Sequence, residues 1–213
     1  MSQEKRVSYT SKNTYTTLNE LTGTTRNFWF VFHGMGYLSR YFAKYFAKLD
    51  PAENYIVAPQ APSKYYQGQD YRHVGASWLT REDTVEETRN VLSYVNAVYN
   101  SEKPQGNVRF IVMGYSQGVS IAARWLAHNK ISCDHLLLLS GGIPKELGPQ
   151  DFAHFGTKTA VTYAYGNKDP FITDSRIDEE TERATRLFGS DVQVLEFEGV
   201  HEVNTDLLLK IGG

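Results

Sequence analysis

Three observations predict a three-layer α/β/α sandwich with a mostly parallel central sheet and an antiparallel strand on its N-terminal edge. Short, almost wholly apolar runs such as Asn27 to Phe32, Val108 to Met113 and His135 to Leu139 alternate with longer segments of helical period. Strands buried on both faces need helices above and below, which gives the three layers. The first segment breaks this rhythm: "RVSYTSKNTYTTL" and the run from Asn27 bracket a turn-rich "NELTGTTR", predicting an antiparallel hairpin at one edge.

In chain order, "NFWFVF" reads as a strand ending at His33-Gly34. Leu38, Tyr41, Phe42, Tyr45, Phe46 and Leu49 recur three and four apart, predicting a helix with one apolar face. Tyr55 to Ala58 is a short strand stopped by Pro59 and Pro62. Thr84 to Tyr99 carries Val85, Thr88, Val91, Leu92, Val95 and Tyr99 on a helical period, closed by Pro104 and Gly106. The Val108 strand leads into a helix over Ser120 to Ala127. Strands at His135 to Leu139, Ala160 to Tyr165 and Val192 to Phe197 follow, with helices at Asp174 to Phe188 and Thr205 to Ile211. The segment 61–83 fits neither sheet nor helix and reads as a loop.

At 213 residues the chain suits one core, so a single domain over 1–213 is expected, with 61–83 as a substrate-facing insertion and no separate lid domain. Its 22 basic and 24 acidic residues are spread along the sequence, which builds no phosphate-tracking surface and argues against a nucleic-acid partner. The N-terminus has no apolar signal core and no run is long enough to cross a bilayer, so stable membrane insertion is not expected and a cytoplasmic location is. Cys133 is the only cysteine and reads as a packing residue; the six scattered histidines suggest no zinc site.

Ligands of open parallel sheets bind beyond the carboxyl ends of the strands, so the residues just after each strand are the candidates for chemistry. One of these is Gly114-Tyr115-Ser116-Gln117-Gly118, between an apolar strand and a helix. The pattern Gly-x-Ser-x-Gly alone recurs by chance, but a serine on a sharp strand-to-helix turn needs small residues two before and two after it, so Gly114 and Gly118 read as elbow supports. The turn would aim the Gln117 amide at an oxyanion in front of Ser116.

A serine hydroxyl needs a base, and the base an orienting acid, in the chain order Ser, Asp, His on later strand ends. Asp169, in "YGNKDP", and His201, in "EGVHEV", stand in that order. Taken singly, Asp169 is a turn-former before proline and His201 a surface or helix-capping histidine; their shared placement makes them the candidate acid and base. Asp174 reads as the start of a helix, and Glu202 as a loop support. His33 is a second strand-end histidine, expected to brace the "HGMG" loop while the Met35 amide supplies the other oxyanion donor.

Together "VFHGMG", "GYSQG", "GNKDP" and "GVHEV" resemble the phospholipase/carboxylesterase branch of the α/β-hydrolase superfamily, which includes the acyl-protein thioesterases. The resemblance runs from Phe28 to Leu209, and Ser-Gln-Gly is its most specific element. It implies an α/β-hydrolase fold with Ser116 as nucleophile, Asp169 as acid, His201 as base, and Met35 and Gln117 as oxyanion donors. "ASW" at Ala76 to Trp78 sits where that family has a site-facing "PSW". Tyr37 stands where the family commonly has Asp, Val119 where a small residue is frequent, and Leu79 where an aromatic follows the Trp.

The expectation is therefore a serine hydrolase that cleaves carboxylic esters of short-chain or singly acylated substrates through an acyl-enzyme, with no metal or organic cofactor. An acyl-thioesterase or lysophospholipase, a peptidase, and a catalytically silent binding protein of the same fold are the alternatives. Tyr37, Tyr65, Tyr66, Tyr71 and Trp78 are candidate substrate-binding residues, with packing of a surface loop as the competing reading. The partner implied is a small ester or acyl-thioester substrate. Oligomeric state is left open, a homodimer being one option.

Overall fold

The computed structural model describes residues 1–156 and 159–213. Its main sheet has seven strands: β1 (Tyr15–Leu18), β2 (Asn27–Phe32), β3 (Asn54–Pro59), β6 (Arg109–Tyr115), β7 (His135–Leu139), β8 (Ala160–Gly166) and β9 (Gln193–Phe197), in the spatial order β1-β3-β2-β6-β7-β8-β9. β2 through β9 in this sheet are parallel, and β1 is antiparallel to β3. This is the mostly parallel sandwich with an antiparallel N-terminal edge that the sequence predicts.

Alternation along β2 shows why the sheet is covered on both sides. Phe28, Phe30 and Phe32 enter one buried cluster, with Val91, Leu92 and Val95 of α2 (Thr84–Glu102) and Ile121, Trp125 and Leu126 of α3 (Gln117–Asn129). Trp29 and Val31 enter the other, with Phe42, Phe46 and Leu49 from 39–49 and Leu208 and Ile211 of α5 (Thr205–Gly212). Ala184 and Leu187 of α4 (Asp174–Phe188) join the first cluster. Every residue of β2 is buried; Asn27 at its start is paired with Asn54 Oδ1 and the Gly212 carbonyl, and the five residues after it read as one apolar run.

Three expectations are corrected. The N-terminal strand does not form a hairpin with β2: β3 lies between them, and Tyr15 to Leu18 pair with Pro59 to Ile56. The turn-rich segment is instead pinned to the edge of β3, Asn19 Nδ2 donating to the Asn54 carbonyl. The helix expected over 38–49 is one α-helical turn, α1 (Ser39–Phe42), followed by a 3-10 turn over Ala43–Phe46. Phe42, Phe46 and Leu49 still reach one buried cluster with Tyr45 packed against it, but Leu38 enters the cluster on the other side of the sheet and Tyr41 is exposed, so the segment does not present the single apolar face expected. The segment 61–83 is not all loop: β4 (Ser63–Gln67) and β5 (His73–Ser77) form a separate antiparallel hairpin. All five residues of β4 are exposed, so it carries no buried-face alternation by which a strand is recognised.

Among the described residues no helix is long and apolar enough to cross a membrane, and no cluster of three or more His, Cys, Asp or Glu side chains is placed to hold a metal ion. Cys133 is buried, and that burial raises its thiol pKa well above the ordinary value.

Candidate active site

β6 delivers the chain into a tight turn at Ser116, whose φ of 54° and ψ of −118° lie outside the regions open to ordinary L-residues. The Ser116 N–H donates to the Leu139 carbonyl at 2.9 Å, and α3 begins at Gln117. Both flanking glycines are required by contact. A Cβ on Gly114 would lie 2.5 Å from Val119 Cα, and one on Gly118 would fall on the Phe32 carbonyl. The turn is thus wedged against β2 on one side and the first turn of α3 on the other.

The loop after β8 brings in Asp169, whose carboxylate is fully buried, and the loop after β9 brings in His201. His201 Nδ1–H donates to Asp169 Oδ2 at 2.6 Å, and Ser116 Oγ lies 2.9 Å from His201 Nε2. The other carboxylate oxygen accepts from the Phe171 N–H at 2.8 Å, which fixes the acid's orientation. A carboxylate facing Nδ1 leaves Nε2 as an acceptor toward the hydroxyl, the tautomer needed to remove a proton from serine. Two aromatic rings pack against the imidazole, Tyr115 tilted at 5.2 Å and Phe171 edge-on at 5.0 Å between centroids. Tyr115 also donates its hydroxyl to the His201 carbonyl at 2.8 Å. Tyr115 and Phe171 escape sequence reasoning; their places one before Ser116 and two after Asp169 are the available signal.

The Gln117 amide follows Ser116 directly in the chain, and the loop after β2 packs beside the turn. Gly34 packs against it, since a Cβ there would lie 3.1 Å from Ser116 Cβ, and Met35 follows with an exposed side chain. Among the described residues neither the Met35 nor the Gln117 N–H has a hydrogen-bond partner in the protein. Unpaired backbone donors at such a place are available to a developing negative charge.

His33, in contrast, is completely buried. Its Nδ1–H donates to the Gly34 carbonyl at 2.8 Å, and Nε2 accepts from the Ala61 N–H at 3.1 Å. Burial lowers its pKa to about 4, so it is neutral at physiological pH.

The aromatic candidates separate. Trp78 is corrected: it is fully buried, packs edge-on to Phe32 and tilted against His33, donates its indole N–H to the His33 carbonyl at 2.8 Å, and has no surface to offer a ligand. Tyr37 is half-buried behind the site, its hydroxyl 3.0 Å from that of Tyr45 and its ring edge-on to Tyr115. Tyr65 is exposed, with its hydroxyl beside Gly36. Tyr66 and Tyr71 are exposed and pack edge-on to each other at 5.3 Å. The Gln117 side chain has a role that the sequence does not disclose: Oε1 accepts from the Trp78 N–H at 2.8 Å, and Nε2 donates to the Leu79 carbonyl at 2.7 Å.

No family model matches the sequence, and no curated protein matches it either. Solved structures do match. The chain is similar to Zea mays acyl-protein thioesterase 2 (TM-score 0.70, 15% identity, covering 94% of this chain and 97% of that one). It is similar to a phospholipase/carboxylesterase from Dyadobacter fermentans (0.65, 19%, covering 95% and 97%) and to a carboxylesterase from Mesorhizobium loti (0.67, 16%, covering 92% of each). At these identities the likeness establishes an α/β-hydrolase fold.

Proposed function

We propose that this protein is a serine hydrolase that cleaves carboxylic esters of short-chain or singly acylated substrates through an acyl-enzyme. The observation that carries the reading is the continuous hydrogen-bonded line from Ser116 Oγ through His201 to the buried Asp169 carboxylate, on a turn followed by the unpaired Gln117 amide. Ser116 Oγ attacks the substrate carbonyl carbon as His201 Nε2 takes its proton, and the Met35 and Gln117 amides hold the resulting oxyanion. His201 then protonates the departing alcohol, the ester C–O bond breaks, and Ser116 is left acylated. Water, deprotonated by His201, repeats the sequence in reverse to release the acid. Asp169 holds the imidazole in its tautomer throughout. The chemistry calls on no metal or organic cofactor.

Thioester cleavage is the second reading, sharing with ester cleavage a feature that sets both apart from a peptidase. Met35, Phe171 and Val200 expose apolar side chains on the loops that carry or adjoin the reacting groups, a surface suited to an acyl chain rather than a peptide. The structural likeness to an acyl-protein thioesterase and to carboxylesterases agrees with either leaving group. We read 1–213 as a single hydrolase domain acting in the cytoplasm, where a lone buried cysteine stays reduced.

Fluorophosphonate labelling tests the proposal. Modification of Ser116, absent in S116A, is expected; a folded wild-type protein that stays unmodified while a control esterase is labelled sinks it. A panel of p-nitrophenyl esters from acetate to palmitate, with a lysophospholipid and an acyl-thioester alongside, then separates acyl length from leaving group.

A further inference from the structure

We propose that Gln67, at the end of β4, is a positioning residue for the Met35 amide, and that Gly75 on β5 gives the close backbone approach that allows it. The proposal rests on the reading of Ser116 as a nucleophile with Met35 as an oxyanion donor.

Gly36, the residue after Met35, is held on both sides of its own backbone. The Gly36 N–H donates to the Ala76 carbonyl at 2.8 Å, and the Gly36 carbonyl accepts from Gln67 Nε2 at 3.0 Å. Both polar backbone atoms of this one residue are therefore taken by the β4–β5 hairpin. Gly36 has φ of +88°, and a Cβ on it would lie 2.7 Å from Gln67 Nε2. A Cβ on Gly75 would lie 2.7 Å from the Gly36 oxygen and 2.8 Å from Gly36 Cα, so the hairpin backbone lies directly against the loop.

Met35 is consequently a span between two anchors. On one side His33 is fixed in the core by the Trp78 indole and by its own bonds to Gly34 and Ala61. On the other, Gly36 is fixed by the hairpin. Met35 has an exposed side chain and an unpaired N–H among the described residues, so its direction is set by these anchors.

The hairpin also reaches the second amide. Trp78, two residues past Ala76, is held by Gln117 Oε1, and Leu79 by Gln117 Nε2. A stretch of backbone from Ala76 to Leu79 thus touches both loops and sets the spacing between the Met35 and Gln117 donors. Oxyanion donors act by being in place before charge develops, so a shift in one is felt in turnover more than in substrate binding.

The test is a series at Gln67 in the full chain, with ester turnover, affinity for an alkyl boronic acid and thermal melting measured together. Gln67→Met keeps the length and removes the donor; kcat is expected to fall about tenfold and boronate affinity in parallel, with KM within about twofold. Gln67→Glu turns an acceptor on the Gly36 carbonyl and should lose more. Gln67→Lys restores a donor and should return kcat to within about threefold of wild type. Because Gln67 is exposed, melting should not follow this order. Gly75→Ala, which displaces the loop itself, is expected to lower kcat about 100-fold. Wild-type kcat and boronate affinity in both Gln67→Met and Gln67→Glu would overturn the proposal, as would a loss confined to KM. Failure of the parent reading looks different: the wild-type protein would then not take fluorophosphonate on Ser116 at all.

Discussion

Two histidines end strands of the same sheet, and the regions around them have opposite characters. His33 follows β2 and is sealed in the core, where both ring nitrogens are spent on backbone partners, the Gly34 carbonyl and the Ala61 amide. His201 follows β9 at a partly open rim, where one nitrogen faces a buried carboxylate and the other a serine hydroxyl. The same side chain is a brace in one place and a candidate base in the other. What decides is whether a nitrogen is left for a reactant and whether a charge that forms on the ring has a counter-charge. An imidazolium at His201 would sit against Asp169, whereas one at His33 would find no carboxylate hydrogen-bonded to it.

Removing each reactive group in turn should have the largest effect. S116A and H201A are each expected to lower kcat by about 10⁴-fold or more on a p-nitrophenyl ester, with near-equal losses because the residues act as a unit. Urea denaturation should find both variants folded. Substantial turnover in H201A would return His33 to candidacy.

His33→Ala should behave in the opposite sense, losing about 2–4 kcal/mol of stability in urea denaturation by leaving the Gly34 and Ala61 groups unpaired and a void beside Trp78. A variant as stable as wild type would deny the bracing role.

Acid titration should expose the buried histidines. Burial holds His33, and likewise His135 between Arg109 and Thr162, at a pKa of about 4 in the folded protein, against about 6.5 when unfolded. The unfolded chain therefore binds more protons between pH 6.5 and 4, and stability falls as pH drops through that window, by on the order of 3 kcal/mol for His33 alone at its lower end. Denaturation midpoints measured across the window should show this slope, and His135→Gln should flatten it.

The smallest effect concerns the ring beside the candidate base. Tyr115→Phe removes the hydroxyl bond to the His201 carbonyl and should cost about 1 kcal/mol of stability with a several-fold loss of kcat. An unchanged kcat would leave Tyr115 as packing only.

Much of this was legible in the residues, for physical reasons that differ by region. β2 and β7 are buried on both faces and so appear as unbroken apolar runs, and Gly114 and Gly118 are forced by contact, so the elbow announces itself. The order Ser116, Asp169, His201 follows from strands that run parallel and place their ends together. β1 misled because pairing partners across an edge are chosen by tertiary register rather than proximity in sequence. Trp78 misled because an aromatic in a polar stretch gives no sign of whether its ring turns inward. Gln67 and the side chain of Gln117 were invisible, since a glutamine bonded to backbone carries no pattern at all.

The backbone at Ser116 also bears on how the fold is held together. A non-glycine residue at φ of 54° and ψ of −118° raises the free energy of the native state by roughly 1–3 kcal/mol, which the surrounding packing must offset. Glycine would relieve that penalty at the cost of a looser unfolded chain, so Ser116→Gly is expected to be as stable as the natural protein or more so, while hydrolysing nothing. The residue on which turnover is proposed to depend is thus a thermodynamic liability, and selection for heat resistance alone would remove it.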